Sequence, residues 1–76
     1  DIYLLLTQPG ADRISHPHPP GSVEHIIVTQ GKALVGLTEA PEELAEGDYI
    51  CYPGDQAHIF KALEPDTQAI LVAEQN

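Results

Sequence analysis

The sequence predicts an all-β domain, an antiparallel jelly roll or small barrel of roughly seven or eight short strands. Three observations carry this. Short apolar runs recur about every ten residues along the chain. Seven prolines and six glycines fall almost wholly between those runs, where a fixed φ or a positive φ is useful. The one stretch with any helical character, Pro41 to Ala45, is a single turn long and too short to nucleate.

Taken in order, Ile2 to Thr7 reads as a strand ended by Pro9-Gly10. Ile14 to His18 is a second extended piece, closed by Pro19-Pro20-Gly21-Ser22. Val23 to Gln30 has the best strand pattern, with Gly31 making the turn and Ala33 to Leu37 returning. Thr38 to Glu43 reads as a loop and Leu44 as a brief strand. Beyond Glu46-Gly47-Asp48 come Tyr49 to Tyr52, Ala57 to Leu63 and Thr67 to Ala73, separated by Pro53-Gly54-Asp55 and Glu64-Pro65-Asp66. No linker or repeat divides residues 1–76, so they form one domain. Pairing this many strands into two packed sheets limits the exposed edges of so small a fold.

Composition excludes several classes of function. Three basic residues against twelve acidic ones give a net charge of −9. Nucleic-acid affinity comes largely from phosphate contacts, so residues 1–76 alone are expected to be repelled by DNA and RNA, and equally by anionic membrane surfaces. No apolar run reaches membrane-spanning length, and no basic region leads into a hydrophobic stretch at the start. The single Cys51 rules out an internal disulfide and fits a reducing cytoplasm. A lone cysteine in an apolar strand is usually a small core residue, and Cys51 is expected to be one. The chain has no methionine and starts at Asp1, which reads as a domain of a longer protein.

The chemistry concentrates in the histidines. His16 and His18 are one residue apart, so on an extended strand they share a face. A hairpin through Pro19-Pro20-Gly21-Ser22 would bring Glu24 back level with them on the neighbouring strand. Glu24, Ile26 and Val28 then share one face, and His25 and Ile27 the other. His58 follows the Pro53-Gly54-Asp55 turn on a later strand. Imidazole nitrogens and a carboxylate converging from three strands suit a divalent metal such as Zn²⁺, Fe²⁺, Mn²⁺, Ni²⁺ or Cu²⁺. The expected ligands are His18, Glu24 and His58, with His16 as a fourth ligand or else a solvent-exposed residue at the mouth. The alternative is a hydrogen-bonded polar cluster with no metal. His25, of opposite parity, is expected on the outer face or against another subunit. Arg13 and Lys61 are the cations placed to meet a ligand carboxylate. Of the pairs Ile50 with Tyr52 and Tyr49 with Cys51, either could face inward.

These residues carry a resemblance. Gly10, five residues, His16-Pro17-His18, five residues, Glu24, six residues and Gly31 are similar to the first motif of the cupin family. Gly47, five residues, Pro53, then Asp55 and His58 are similar to its second motif. The sequence departs from the pattern by an extra residue between His18 and Glu24, by Asp55 in place of a glycine, and by Ala62 in place of an asparagine. The segment from His18 to Val28, with its lengthened turn, resembles the sensor domains attached to helix-turn-helix repressors of the XRE type, which often keep only the histidine corresponding to His18. The resemblance implies a double-stranded β-helix barrel holding one divalent metal, zinc slightly favoured. It also implies a cytoplasmic homodimer that senses a small molecule, an amino acid or sulfur metabolite, and acts on DNA through a helix-turn-helix domain absent from these residues. The alternative is a metal-dependent cupin enzyme of dioxygenase, isomerase or lyase type. Against it, nothing beyond the ligand set reads as a positioned general acid or base.

Overall fold

The computed structural model describes residues 2–7, 12–15 and 20–74, with side chains from residue 20 onward. Eight strands follow one another: β1 (Ile2–Thr7), β2 (Asp12–Ser15), β3 (Val23–Gln30), β4 (Lys32–Leu37), β5 (Glu42–Ala45), β6 (Tyr49–Pro53), β7 (His58–Ala62) and β8 (Thr67–Glu74). They form two four-stranded antiparallel sheets, in the orders β1-β8-β3-β6 and β2-β7-β4-β5. This is the all-β jelly roll the turn spacing predicts. Among the described residues no helix is long and apolar enough to cross a membrane.

Strand alternation builds the core. On β3 the inward set is Glu24, Ile26 and Val28, each buried, while their neighbours face out. Val35, Leu44, Tyr52, Phe60 and Ala69 close around them from the other strands, with Ile50, Leu37 and Leu71 packed at the margin. Leu44 lies within a four-residue strand rather than alone, since β5 pairs with β4 from Ala45 back to Glu42. The predicted 38–43 loop is correspondingly shorter.

The expected hairpin between the strand before Pro19 and the strand carrying Glu24 does not occur. β2 pairs with β7 in one sheet, and β3 pairs with β6 and β8 in the other, so the intervening chain crosses between sheets. Pro17, Pro19 and Pro20 supply no N–H donors, and a ladder cannot continue through them. Residues 16–19 lie outside the described residues.

Two turns interlock at one end of the fold. Gly31 adopts φ +81° between β3 and β4, and a Cβ there would lie 2.5 Å from the Thr67 hydroxyl oxygen and 3.0 Å from its Cα. That hydroxyl lies 2.7 Å from the Glu64 carbonyl and 3.1 Å from the Lys32 carbonyl, and the Leu63 N–H donates to Lys32 as well. At Gly47, where φ is +89°, an added Cβ would meet nothing within 4 Å. Gly47→Ala is therefore expected to carry only the conformational cost of a positive φ, about 1 kcal/mol. Gly31→Ala adds a clash with fixed backbone and should lose about 2 kcal/mol or more. Urea denaturation of both variants checks this, and equal losses would show that the Thr67 turn yields freely.

Candidate metal centre

Three of the buried polar side chains form one connected cluster. Glu24 enters from β3, Tyr52 from β6 beside it, and His58 from β7 on the opposite sheet. All three are buried, at 4%, 6% and 3% exposure. The Tyr52 hydroxyl donates to Glu24 Oε1 at 2.7 Å. Glu24 Oε2 faces His58 Nε2 at 3.3 Å. The far ring nitrogen, His58 Nδ1, lies 2.8 Å from the carbonyl of Gln56. A carbonyl only accepts, so Nδ1 carries the proton and the tautomer is fixed with Nε2 aimed at the carboxylate. The Tyr52 and His58 rings sit 5.3 Å apart, tilted, and close the cluster sideways.

The local sequence explains how each group arrives. Glu24 and Tyr52 are cross-strand partners in the β3–β6 register, so their side chains emerge side by side on one face. His58 begins β7, two residues after Gln56, and the carbonyl that orients its ring comes from its own approach turn. A carboxylate in such an interior needs compensation, because an unpaired buried charge costs several kcal/mol. Here the phenol donates to one oxygen, and the other faces the lone pair of His58 Nε2, two acceptors that a cation held between them would satisfy.

The donor set fits a divalent ion. Two ligands each about 2.1 Å from one metal, at a tetrahedral angle, stand about 3.4 Å apart, and Glu24 Oε2 and His58 Nε2 are 3.3 Å apart. An imidazole whose other nitrogen is tied to a backbone carbonyl is the usual outer arrangement of a histidine ligand. Among the described residues no three histidine, cysteine or acidic side chains converge, so the pair Glu24 and His58 is what the structure brings together. His16 and His18, the other expected ligands, lie outside the described residues.

Tyr52 is the member that sequence reasoning left undecided. Either pair on its strand could face inward, and its cross-strand pairing with Glu24 is what sets it inside. That parity also corrects the expectation for Cys51, which lies exposed on the outer face because Tyr52 takes the inner one. Lys61 likewise alternates with buried Phe60 and Ala62 and points away from the cluster. His25 is on the outer face as its parity requires, hydrogen-bonded through Nδ1 to the Tyr49 hydroxyl at 2.6 Å and through Nε2 to Glu74.

The family model for the cupin domain matches residues 3–73. The chain belongs to the cupin family. Cupin domains commonly bind a divalent metal, in keeping with the pair described above. No curated protein matches the chain significantly. Among solved structures, the cupin domain of an XRE-family transcriptional regulator from Enterobacter cloacae superposes with a TM-score of 0.93 at 21% identity, over 100% of this chain and 81% of that one. An HTH_3-family transcriptional regulator from Vibrio cholerae gives 0.86 at 29% identity, over 99% of this chain and 43% of that one. A sugar phosphate isomerase of the cupin superfamily from Silicibacter pomeroyi gives 0.78 at 23% identity, over 99% of this chain and 50% of that one. The cupin domain thus spans less than half of the Vibrio regulator and half of the isomerase.

Removing the Tyr52 hydroxyl strips one oxygen of the buried carboxylate of its donor. Tyr52→Phe is expected to lose about 1–3 kcal/mol of stability. Tyr49→Phe, on the solvent side of the same strand, should lose well under half of that. Parallel urea titrations compare them, and equal losses would deny the interior bond its role.

Proposed function

We propose that this cupin domain is the metal-centred, small-molecule-sensing module of a transcription regulator, with DNA contacts made by a helix-turn-helix domain outside residues 1–76. The observation that carries the reading is the enclosed Glu24–His58 pair, oriented by Tyr52 and by the Gln56 carbonyl. It is supported by the likeness to the Vibrio regulator, 29% identical over 99% of this chain. The charge of −9 agrees with it, because the module would contribute no phosphate contacts of its own.

Glu24 and His58 would hold the metal, with His18 and His16 as the remaining ligands, and zinc is slightly favoured. When bound, the ion would offer a Lewis-acidic position to a donor atom of the ligand. The protein's own side chains do the rest. Tyr52 fixes the carboxylate, Gln56 fixes the imidazole tautomer, and Ile26, Ile50 and Phe60 supply apolar wall for a side chain. An amino acid or a sulfur metabolite combines a coordinating group with an apolar portion and suits such a site. In a regulator, ligand occupancy acts through differential affinity for two states, typically about 1–3 kcal/mol of coupling. A two-fold homodimer in the cytoplasm matches the way paired helix-turn-helix domains read half-sites.

A second reading, a cupin enzyme, is favoured by one observation. The buried Glu24 carboxylate, hydrogen-bonded by Tyr52 and 3.3 Å from His58 Nε2, could take up a proton in an isomerisation, and the Silicibacter isomerase shares the fold.

Zinc titration by calorimetry is expected to show about one equivalent bound, lost in His58→Ala and weakened about 10–100-fold in Tyr52→Phe. Occupancy should fall as acid protonates the imidazoles. Failure of the wild-type chain to take up any transition metal would defeat the metal assignment. For the sensor, DNA binding by the longer regulator is measured with a panel of amino acids and thiol metabolites, in wild type and His58→Ala. A ligand response that survives His58→Ala unchanged would move the sensor away from this site, and turnover of a sugar phosphate without any effect on DNA would favour the enzyme.

A further inference from the structure

Each half of the candidate centre is delivered by a turn. Gly21 lies three residues before Glu24, and Asp55 three residues before His58. The two turns are tied to one another at the end of the fold where β3 begins and β6 finishes. The Gly54 N–H donates to the Ser22 carbonyl at 2.9 Å, and the Gly21 N–H donates to Asp55 Oδ2 at 3.4 Å. The β4–β5 turn joins them there, the Thr38 N–H donating to the Ala57 carbonyl at 3.1 Å. Three residues of extended chain span at most about 11 Å, so Asp55 and His58 lie within that reach of each other.

Charge is spread unevenly along the fold. Both lysines sit away from this rim. Lys32 opens β4 at the opposite end, exposed and 4.0 Å from Glu64. Lys61 lies three residues beyond His58 and points outward. Arg13 belongs to β2, in register with Phe60 rather than with His58. The rim end instead carries Asp55, exposed Glu39 and, just inside, Glu24. Asp55 is half-buried, and its hydrogen bond among the described residues is the long one to Gly21, which leaves most of its accepting capacity unused. The cupin pattern has glycine where Asp55 stands, so the turn itself does not require a carboxylate. With neutral imidazoles, a divalent ion and the carboxylates of Glu24 and Asp55 sum to zero charge, and the loaded site has no net attraction for an anion.

We propose that Asp55 selects the ligand of this site, a small organic cation whose ammonium group stands a few atoms from the group that meets the metal. The inference deepens the sensor reading and rests on its metal centre for the coordinating half alone. The ammonium pairs with the Asp55 carboxylate at the rim, while the coordinating atom lies inward beside Glu24 and His58. A half-buried carboxylate holds a cation better than a fully solvated one, because water and salt screen it less. A phosphate dianion would meet Asp55 and Glu24 with no lysine near to offset them, which disfavours sugar phosphates here. Amino acids and aminothiols carry the required pair of groups.

The test titrates three thiols into the zinc-loaded chain by calorimetry: thiocholine, 2-mercaptoethanol and 3-mercaptopropionate. They share the coordinating thiol and end in a cation, a hydroxyl and an anion. Thiocholine cannot chelate the zinc away, because its nitrogen has no lone pair. Asp55→Asn removes the charge and keeps an accepting oxygen for Gly21. In that variant the preference for thiocholine over 2-mercaptoethanol should fall about fivefold. Glu46→Gln makes the same charge change on an exposed residue in the turn beside Val28, at the far end, and should alter the preference less than about 1.5-fold. Dispersed amide NMR signals establish that Asp55→Asn is folded, and Asp55→Gly repeats the comparison if it is not. An unchanged preference, a uniform weakening of all three thiols, or tightest binding of 3-mercaptopropionate overturns the proposal, the last by pointing to Arg13. A chain that takes up no zinc defeats the metal reading separately. Choline titrated against the Gly21 amide signal then decides: a shift lost in Asp55→Asn upholds the cation site, and no shift overturns it.

Discussion

The interior of this domain is organised around the burial of one carboxylate. Glu24 sits at 4% exposure in a core otherwise built of Ile, Val, Ala, Phe and Leu. An uncompensated charge there would cost more than much of the stability a 76-residue chain can muster. The sequence answers by placing a phenol opposite it on β6 and an imidazole opposite it on the other sheet. The Tyr52 bond fixes one oxygen, and the His58 ring, itself turned by the Gln56 carbonyl, meets the other. The same arrangement makes the carboxylate chemically competent, because two oriented ligand atoms 3.3 Å apart can share an ion.

β3 does two jobs at once. Its inward residues supply Glu24 to the cluster and Ile26 and Val28 to the core, and its outward residues place His25 and Ile27 on the outer face of the same sheet. One strand thereby separates the interior polar chemistry from the exterior by the thickness of a single backbone. His25 and Glu24 are sequence neighbours with unlike surroundings. One is hydrogen-bonded among Tyr49 and Glu74 on the surface, the other among Tyr52 and His58 inside.

Much of this was legible in the residues. Turn chemistry marked six of the eight strands at nearly their observed bounds, because Gly and Pro punctuate where regular pairing must stop. Strand parity correctly put Glu24 inside and His25 outside. Parity could not decide β6, since Tyr49, Ile50, Cys51 and Tyr52 are apolar or amphipathic on both faces and only the partner across the strand, Glu24, breaks the tie. The expectation that a lone cysteine is buried failed for that reason. The hairpin expected before β3 failed because sheet membership is a long-range property: β2 finds its partner in β7, more than forty positions along the chain, and nothing near residue 20 encodes this. The second-motif departure at Asp55 has a local sequel, its carboxylate lying 3.4 Å from the Gly21 N–H across the mouth.

The Gly31–Thr67 contact bears on how the sequence can drift. Its obstruction is threefold: the Thr67 hydroxyl at 2.5 Å, the Cα at 3.0 Å and the Cβ at 3.2 Å from any new methyl group at position 31. Shortening residue 67 to glycine would clear the first and third but not the second, and it would cut the hydroxyl's contacts to Glu64 and Lys32 that hold the opposing turn. No single compensating change at position 67 therefore opens position 31, and the left-handed backbone there would resist a side chain even in open space. In mutational terms the two sites form a closed gate. A lineage leaves this pairing by rebuilding a whole turn through insertion or deletion, and point substitution alone offers it no path.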